Sequence, residues 1–291
     1  MNNKAWDRMM NEPTDRARIV QPVITSVLFL VCGGLISSAA YVSFIPADIR
    51  TVLKVGMTVV SLAAWLALGR SERLRPYRQI ALSFLAVSLG VLLAQVLGNI
   101  PMKLMGFSVS TVQGVAMAKF GEALPVVLSI LVLHFASGGN RNGLFLRGGS
   151  LKLGLVAGCI GFAAFAGIGA LQAAGSGVSW AVVAAALPWI LIFIFSNALL
   201  EELWFRALFL KKLEPLVGAW TTLILTALVF AGTHISSTYV IDILLFLVAL
   251  MALALIFGWL MRKTNSILGP VLIHAGADIL VILGFLAGAH L

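Results

Sequence analysis

The chain has 291 residues, of which 60% are hydrophobic and only 11% are charged. Soluble domains usually carry about 25% charged residues, so this composition excludes an ordinary soluble protein and predicts an integral membrane protein. The net charge of +9 does not indicate a nucleic-acid partner, because the basic residues lie mostly in gaps between long apolar runs. Cys32 and Cys159 both fall inside such runs, so we predict no disulfide framework.

The apolar residues form nine runs of about 20 residues, the length that an α-helix needs to cross about 30 Å of hydrocarbon. We therefore predict an all-α fold, a polytopic transmembrane helix bundle of about nine spans. The predicted spans are 23–45, 51–69, 79–98, 111–136, 152–173, 183–210, 217–236, 239–261 and 266–288.

The basic residues predict how this bundle is oriented. Of the 20 Lys and Arg residues, 15 fall in the N-terminal tail and in every second gap after it, against three in the other gaps. Cytoplasmic loops carry an excess of Lys and Arg, so we expect the N-terminus in the cytoplasm and the C-terminus on the opposite side. The 15 residues are Lys4, Arg8, Arg16, Arg18, Arg70, Arg73, Arg75, Arg78, Arg141, Arg147, Lys152, Lys211, Lys212, Arg262 and Lys263.

We expect three parts: a cytoplasmic tail over 1–22, N-terminal transmembrane helices over 23–175, and a core with the chemistry over 176–291. In the second part, Lys119 and Glu122 are three residues apart and predict an internal ion pair. In the fifth span, residues 154 and 158 are glycines, a spacing that lets two membrane helices pack closely.

Charged side chains inside the sixth span indicate function, because a charge at the bilayer centre costs about 2.5–3.5 kcal/mol. Glu201 lies ten residues before Lys211, or about 15 Å along a helix from the cytoplasmic end. Glu202 and Arg206 are four residues apart and can pair on one helix face, whereas Glu201 has no such partner. We therefore expect Glu201 to do chemistry, with Glu202 and Arg206 in a supporting structural role.

The last third of the chain also contributes two histidines and a further carboxylate. His234 lies near the end of the seventh span. His274 and Asp278 share one face of the ninth span, with His274 at the depth predicted for Glu201. A deep histidine and a deep carboxylate favour proton transfer or hydrolysis.

These residues follow one another in three short patterns: Glu201-Glu202-x-x-x-Arg206, Phe230-x-x-x-His234 and His274-x-x-x-Asp278. Their order resembles the three-motif signature of the CAAX protease and bacteriocin-processing family (CPBP, or Abi) of intramembrane proteases, which includes the CAAX prenyl endopeptidase of the endoplasmic reticulum. The resemblance covers roughly residues 180–288. One position departs from it, since the third motif usually ends in Asn. An ionised Asp278 cannot donate to an oxyanion, so it either acts protonated or orients His274.

The resemblance implies an intramembrane endopeptidase that hydrolyses a peptide bond of a membrane-associated or prenylated substrate. In this reading Glu201 is the general base, His234 binds the water, and His274 stabilises the oxyanion while Asp278 fixes its ring. No cofactor is favoured, although zinc held by Glu201, His234 and His274 is the alternative. The expected partners are membrane lipid and a membrane-associated protein or peptide, with no nucleic acid. The expected location is the bacterial cytoplasmic membrane, as a multi-pass protein.

Two other classes of function stay open. One is a non-catalytic membrane scaffold or regulator on the same fold. Absence of the first Glu or of either histidine would argue for it, and all three are present. The other is a proton-coupled transporter, because intramembrane Glu and His residues also form proton relays. A transporter predicts charges in both halves and an internal repeat, whereas the charges here cluster in the last third.

Overall fold

The computed structural model describes residues 15–237 and 242–288, and over these ranges it contains helices and turns without a β-strand. The predicted all-α fold is therefore confirmed. The helices are α1 (Asp15–Tyr41), α2 (Ala47–Leu68), α3 (Arg75–Leu97), α4 (Ile100–Leu104), α5 (Val112–Ala136), α6 (Leu151–Gly175), α7 (Trp180–Glu201), α8 (Leu210–Val217), α9 (Ala219–Gly232), α10 (Ile243–Thr264) and α11 (Leu268–Gly288). A π-helical segment, Glu202–Ala207, follows α7 directly.

Eight helical stretches in the described ranges are long and apolar enough to cross a membrane. They are Val20–Tyr41, Ala47–Leu68, Glu72–Leu104, Val112–Ala136, Leu151–Gly175, Trp180–Val217, Ile243–Thr264 and Leu268–Gly288. The seventh predicted span contains only α9, whose 14 residues extend about 21 Å. A polytopic bundle is thus confirmed, while its orientation and the three-part division stay predictions.

Local hydrogen bonding explains why α9 is shorter than its apolar run. The Thr233 hydroxyl donates to the Phe230 carbonyl at 2.6 Å, and the backbone N–H of His234 donates to Ala231, three residues back. A threonine side chain that takes a backbone carbonyl competes with helix propagation. The resulting turn ends the helix and places His234 inside the bundle.

Glycines let α6 and α11 approach closely, as the 154/158 spacing predicts. A Cβ atom on Gly158 would lie 3.2 Å from Cα of Gly269, and one on Gly269 would lie 2.9 Å from the Gly154 carbonyl oxygen. One on Gly276 would lie 2.7 Å from Cα of Phe162. The close packing is confirmed, and it fixes the helix that carries the third motif.

The N-terminal helices pack against the segment that follows the first motif. The ring of Phe209 lies 5.1 Å from that of Phe29 in α1 and 5.0 Å from that of Phe84 in α3. All three residues belong to one buried hydrophobic cluster. The helices before residue 176 therefore support the position of the first motif.

Candidate active site

The first motif lies where α7 passes into a π-helical turn. Glu201 is the last α-helical residue, and the backbone N–H of Leu208 donates to Leu203, five residues back, at 3.0 Å. Such turns are rare and occur often at functional sites. The sequence pattern predicts a plain helix here, so the π turn is a feature that it missed.

Glu202 and Arg206 form the predicted ion pair, with side chains that are 0% and 1% exposed. Nε of Arg206 donates to the carbonyl of Ala254 in α10 at 3.3 Å. The guanidinium carbon also lies 4.3 Å from the ring centre of Phe230 and 5.3 Å from that of Phe257. Arg206 thereby joins the end of α7 to α9 and α10, which supports the predicted structural role.

His274 lies between the two adjacent carboxylates of the first motif. Its Nδ1 is 2.7 Å from Oε1 of Glu202, and its Nε2 is 3.3 Å from Oε2 of Glu201. The ring also stacks on Phe257, with centroids 5.6 Å apart. Glu202 therefore holds the imidazole in one orientation.

Asp278 is placed differently from our expectation that it fixes the His274 ring. Its Oδ1 is 3.8 Å from Nε2 of His274, too far for a hydrogen bond. Its Oδ2 instead accepts a hydrogen bond from Nδ2 of Asn197 at 3.0 Å. The ring is thus oriented by Glu202, and Asp278 is paired with α7.

His234 is anchored through one ring nitrogen at the end of α9. Its Nδ1 lies 2.8 Å from the Thr233 hydroxyl and 3.2 Å from the Phe230 carbonyl oxygen. A backbone carbonyl only accepts, so an Nδ1–H that donates to it leaves Nε2 with a free lone pair. That nitrogen is suited to bind a water proton.

One carboxylate oxygen of Glu201 lacks a hydrogen bond in the described part of the chain. Oε2 is buried and, over residues 15–237 and 242–288, makes no hydrogen bond, because its approach to His274 does not have hydrogen-bond geometry. Buried carboxylate oxygens normally have a partner. This oxygen is therefore suited to accept a hydrogen bond from a ligand.

The predicted site residues converge on one cavity of about 710 Å³. Such a volume is typical of ligand pockets, which are mostly apolar with a few converging polar groups. Among its polar lining residues are Glu201, His234, His274, Asp278, Asn197, Lys119 and Tyr41. Glu202 and Arg206 do not line the cavity, as expected for residues with a supporting structural role.

Three of these lining residues were not predicted as part of the site. Lys119 makes the predicted ion pair with Glu122 at 2.7 Å and also faces the cavity. Asn197 lies four residues before Glu201, so its position on the same helix face was a signal in the sequence. Tyr41 ends α1, and no sequence pattern relates it to the motifs.

The alternative zinc set does not fit the positions of these side chains. Nδ1 of His274 is held by Glu202, so Nε2, which lies 3.3 Å from Oε2 of Glu201, is the nitrogen that zinc would need. In the described part of the chain, no three His, Cys, Asp or Glu side chains are arranged to hold a metal ion.

The comparison with family models gives a match over residues 183–280, to the family described as type II CAAX prenyl endopeptidase Rce1-like. The matched segment contains all three motifs. No curated protein and no solved structure matches the chain. The resemblance seen in the motifs is thus confirmed: the segment that carries them is similar to the CAAX prenyl endopeptidase family.

Proposed function

We propose that this protein is an intramembrane endopeptidase that hydrolyses a peptide bond with a water molecule activated by Glu201. The observation that carries this proposal is the buried carboxylate oxygen of Glu201 that makes no hydrogen bond in the described ranges and lies in a cavity shared with His234 and His274. The family match supports proteolysis, since its printed description is that of an endopeptidase.

The first step is attack on the scissile carbonyl. Glu201 takes one proton from the water, and the hydroxide oxygen forms a bond to the carbonyl carbon. The free Nε2 of His234 accepts a hydrogen bond from the other O–H of the water and so orients the water molecule. A positioned base of this kind typically contributes about 10²–10⁴-fold to the rate.

His274 is suited to stabilise the charge that develops on the carbonyl oxygen. The carboxylates on its two sides favour a ring protonated at both nitrogens, with Nδ1–H donating to Glu202 and Nε2–H forming an ion pair with Glu201. When Glu201 has taken the water proton, its pull on Nε2–H weakens and that group donates to the oxyanion. Glu201 then gives its proton to the leaving nitrogen as the peptide bond breaks, which regenerates the carboxylate.

The cavity also bears on the class of substrate. The rings of Phe165, Phe193, Phe246 and Phe257 contribute to its wall. Such a wall suits apolar side chains or a prenyl chain, consistent with a membrane-associated or prenylated protein or peptide. The expected surrounding is the lipid of the bacterial cytoplasmic membrane, and the proposed reaction uses no metal.

The test is cleavage of an internally quenched, farnesylated CAAX peptide by the purified protein in detergent, with the cleaved bond identified by mass spectrometry. Glu201→Gln keeps the side-chain shape and removes the base, so cleavage should be abolished while the melting temperature stays nearly unchanged. Glu214→Gln is the matched control, because Glu214 pairs with Arg262 and lies outside the cavity lining.

The outcomes separate this proposal from the two other classes. Cleavage by the wild type that persists in Glu201→Gln would contradict the proposed base. If neither this peptide nor membrane-protein substrates were cleaved, the proposed protease function would be contradicted and the scaffold function would remain. If the protein were a transporter, proteoliposomes that contain it would take up a solute together with protons, and no peptide product would form.

A further inference from the structure

The third motif lacks the side-chain amide with which it usually ends. In the structure, a side-chain amide from another helix lies beside that position. Asp278 stands where the family motif usually ends in Asn, and an ionised carboxylate has no hydrogen to donate. Nδ2 of Asn197, in α7, donates to Oδ2 of Asp278 at 3.0 Å. Both side chains are buried and both line the cavity.

Asn197 is also next to the proposed base. It precedes Glu201 by four residues in α7, so the two side chains project from one helix face with Cβ atoms about 5–6 Å apart. A substrate carbonyl whose carbon is attacked by a water on Glu201 therefore has its oxygen within reach of the Asn197 amide.

The orientation of this amide follows from its partner. Oδ2 of Asp278 accepts the hydrogen bond and Nδ2 donates it, so the NH₂ group and not the carbonyl of Asn197 faces Asp278. The NH₂ group carries two hydrogens, and Asp278 takes one of them. In the described ranges no further hydrogen bond from the Asn197 side chain is present, so the second N–H remains for a ligand in the cavity.

We infer that Asn197 is a catalytic residue whose second amide N–H donates to the oxyanion of the tetrahedral intermediate, while Asp278 holds the amide in place. The inference rests on the proposed function and adds to it a donor on α7. No proton is transferred in this contact: the carbonyl oxygen gains charge as the hydroxide adds, and the preorganised N–H stabilises that charge.

The first measurement is the kinetics of Asn197→Ala on the quenched farnesylated CAAX peptide. Removal of one oxyanion donor typically costs about 10²–10³-fold in kcat, and we expect that loss with little change in KM. Ser196→Ala is the matched control, because Ser196 is the adjacent residue on α7 and does not line the cavity. Asn197→Leu, which keeps the branched shape of the side chain without a donor, should show the same loss if Asn197→Ala folds poorly.

The second measurement distinguishes a donor from a residue that only positions Asp278. In Asn197→Ala/Asp278→Asn, an amide returns to the site at the usual motif position. We expect kcat per folded molecule to recover at least tenfold over Asn197→Ala. If Asn197 served only to hold the carboxylate of Asp278, removing that carboxylate as well would restore nothing.

The possible failures are distinct. Wild-type cleavage that depends on Glu201 together with an unchanged kcat in Asn197→Ala would overturn this inference alone, as would the absence of rescue in the double variant. A wild-type protein that cleaves neither the peptide nor a membrane-protein substrate would overturn the proposed function, and this inference would fall with it.

Discussion

Glu202 and His274 are 72 residues apart in the chain, yet Oε1 of Glu202 lies 2.7 Å from Nδ1 of His274. The same oxygen pairs with Arg206. A carboxylate that holds one nitrogen of a histidine fixes the orientation of the ring and the position of its proton. Glu202 therefore links the buried ion pair to the proposed chemistry, a role beyond the structural support that its spacing from Arg206 predicted.

Loss of Glu202 should reduce both stability and activity. Glu202→Gln leaves Arg206 buried without its counter-charge, which typically costs about 3–5 kcal/mol in the free energy of unfolding. Arg206→Gln leaves the carboxylate buried alone and should cost a similar amount. Because the two residues interact directly, the double variant should lose less than the sum of the single losses. Denaturant or thermal unfolding in detergent measures all three.

The double variant also separates the two roles of Glu202. With both charges removed, stability should partly recover, but cleavage should not, because His274 still lacks the carboxylate that orients it. A double variant with wild-type kcat would show that Glu202 acts only through the ion pair. Glu214→Gln is the control, since its pair with Arg262 is partly exposed and should be worth at most about 1 kcal/mol.

Much of the site could be predicted from the sequence because a charge deep in an apolar span is costly. That rule identified Glu201, His274 and Asp278, and the family pattern added His234. Both i, i+4 pairs were visible from helix geometry, yet of the two only Glu202–Arg206 forms a hydrogen bond. Asp278 turns to another helix, because α7 offers it a shorter hydrogen bond than the 3.8 Å approach to His274.

The features that the sequence did not predict depend on how helices sit against one another. Which faces of α1 and α5 line the cavity depends on their rotation in the bundle, so Tyr41 and Lys119 gave no signal as cavity residues. The π turn and the early end of α9 depend on single hydrogen bonds, such as that from Thr233 to Phe230. Hydropathy averages over about 20 residues and does not register such local changes.

Close packing between α6 and α11 should tolerate no larger side chain at Gly158. A Cβ there would meet Cδ1 of Leu272 at 2.8 Å, and Gly158→Val adds two further methyl groups. Overpacking of this kind typically costs about 1–3 kcal/mol and should displace the helix that carries His274. Gly167→Val in the same helix is the control, because no atom outside its neighbours lies within 4 Å of its Cβ position. Equal melting temperatures for the two variants would contradict the close packing.

The positive-inside pattern predicts that the C-terminus lies outside the cytoplasm. A periplasmic alkaline phosphatase fused after Leu291, which is beyond the described residues, should be active, and a cytoplasmic green fluorescent protein fused there should be dark. The reverse result would mean that the number of crossings is even. The short helix α9 is the segment where such a change would arise, because the other eight helical stretches are long enough to span.

Metal removal should leave the proposed activity intact. A zinc site would need Glu201, His234 and His274 to converge on one ion, and in the described part of the chain these side chains are not arranged in that way. We expect the rate of peptide cleavage to stay within about twofold of its starting value after dialysis against phenanthroline, a change of less than about 0.5 kcal/mol in the barrier, with metal content measured by elemental analysis.

A zinc metalloprotease treated in parallel is the control for complete chelation. Loss of cleavage that added zinc restores, and that His234→Ala abolishes together with zinc binding, would replace the glutamate mechanism with a metal-dependent one.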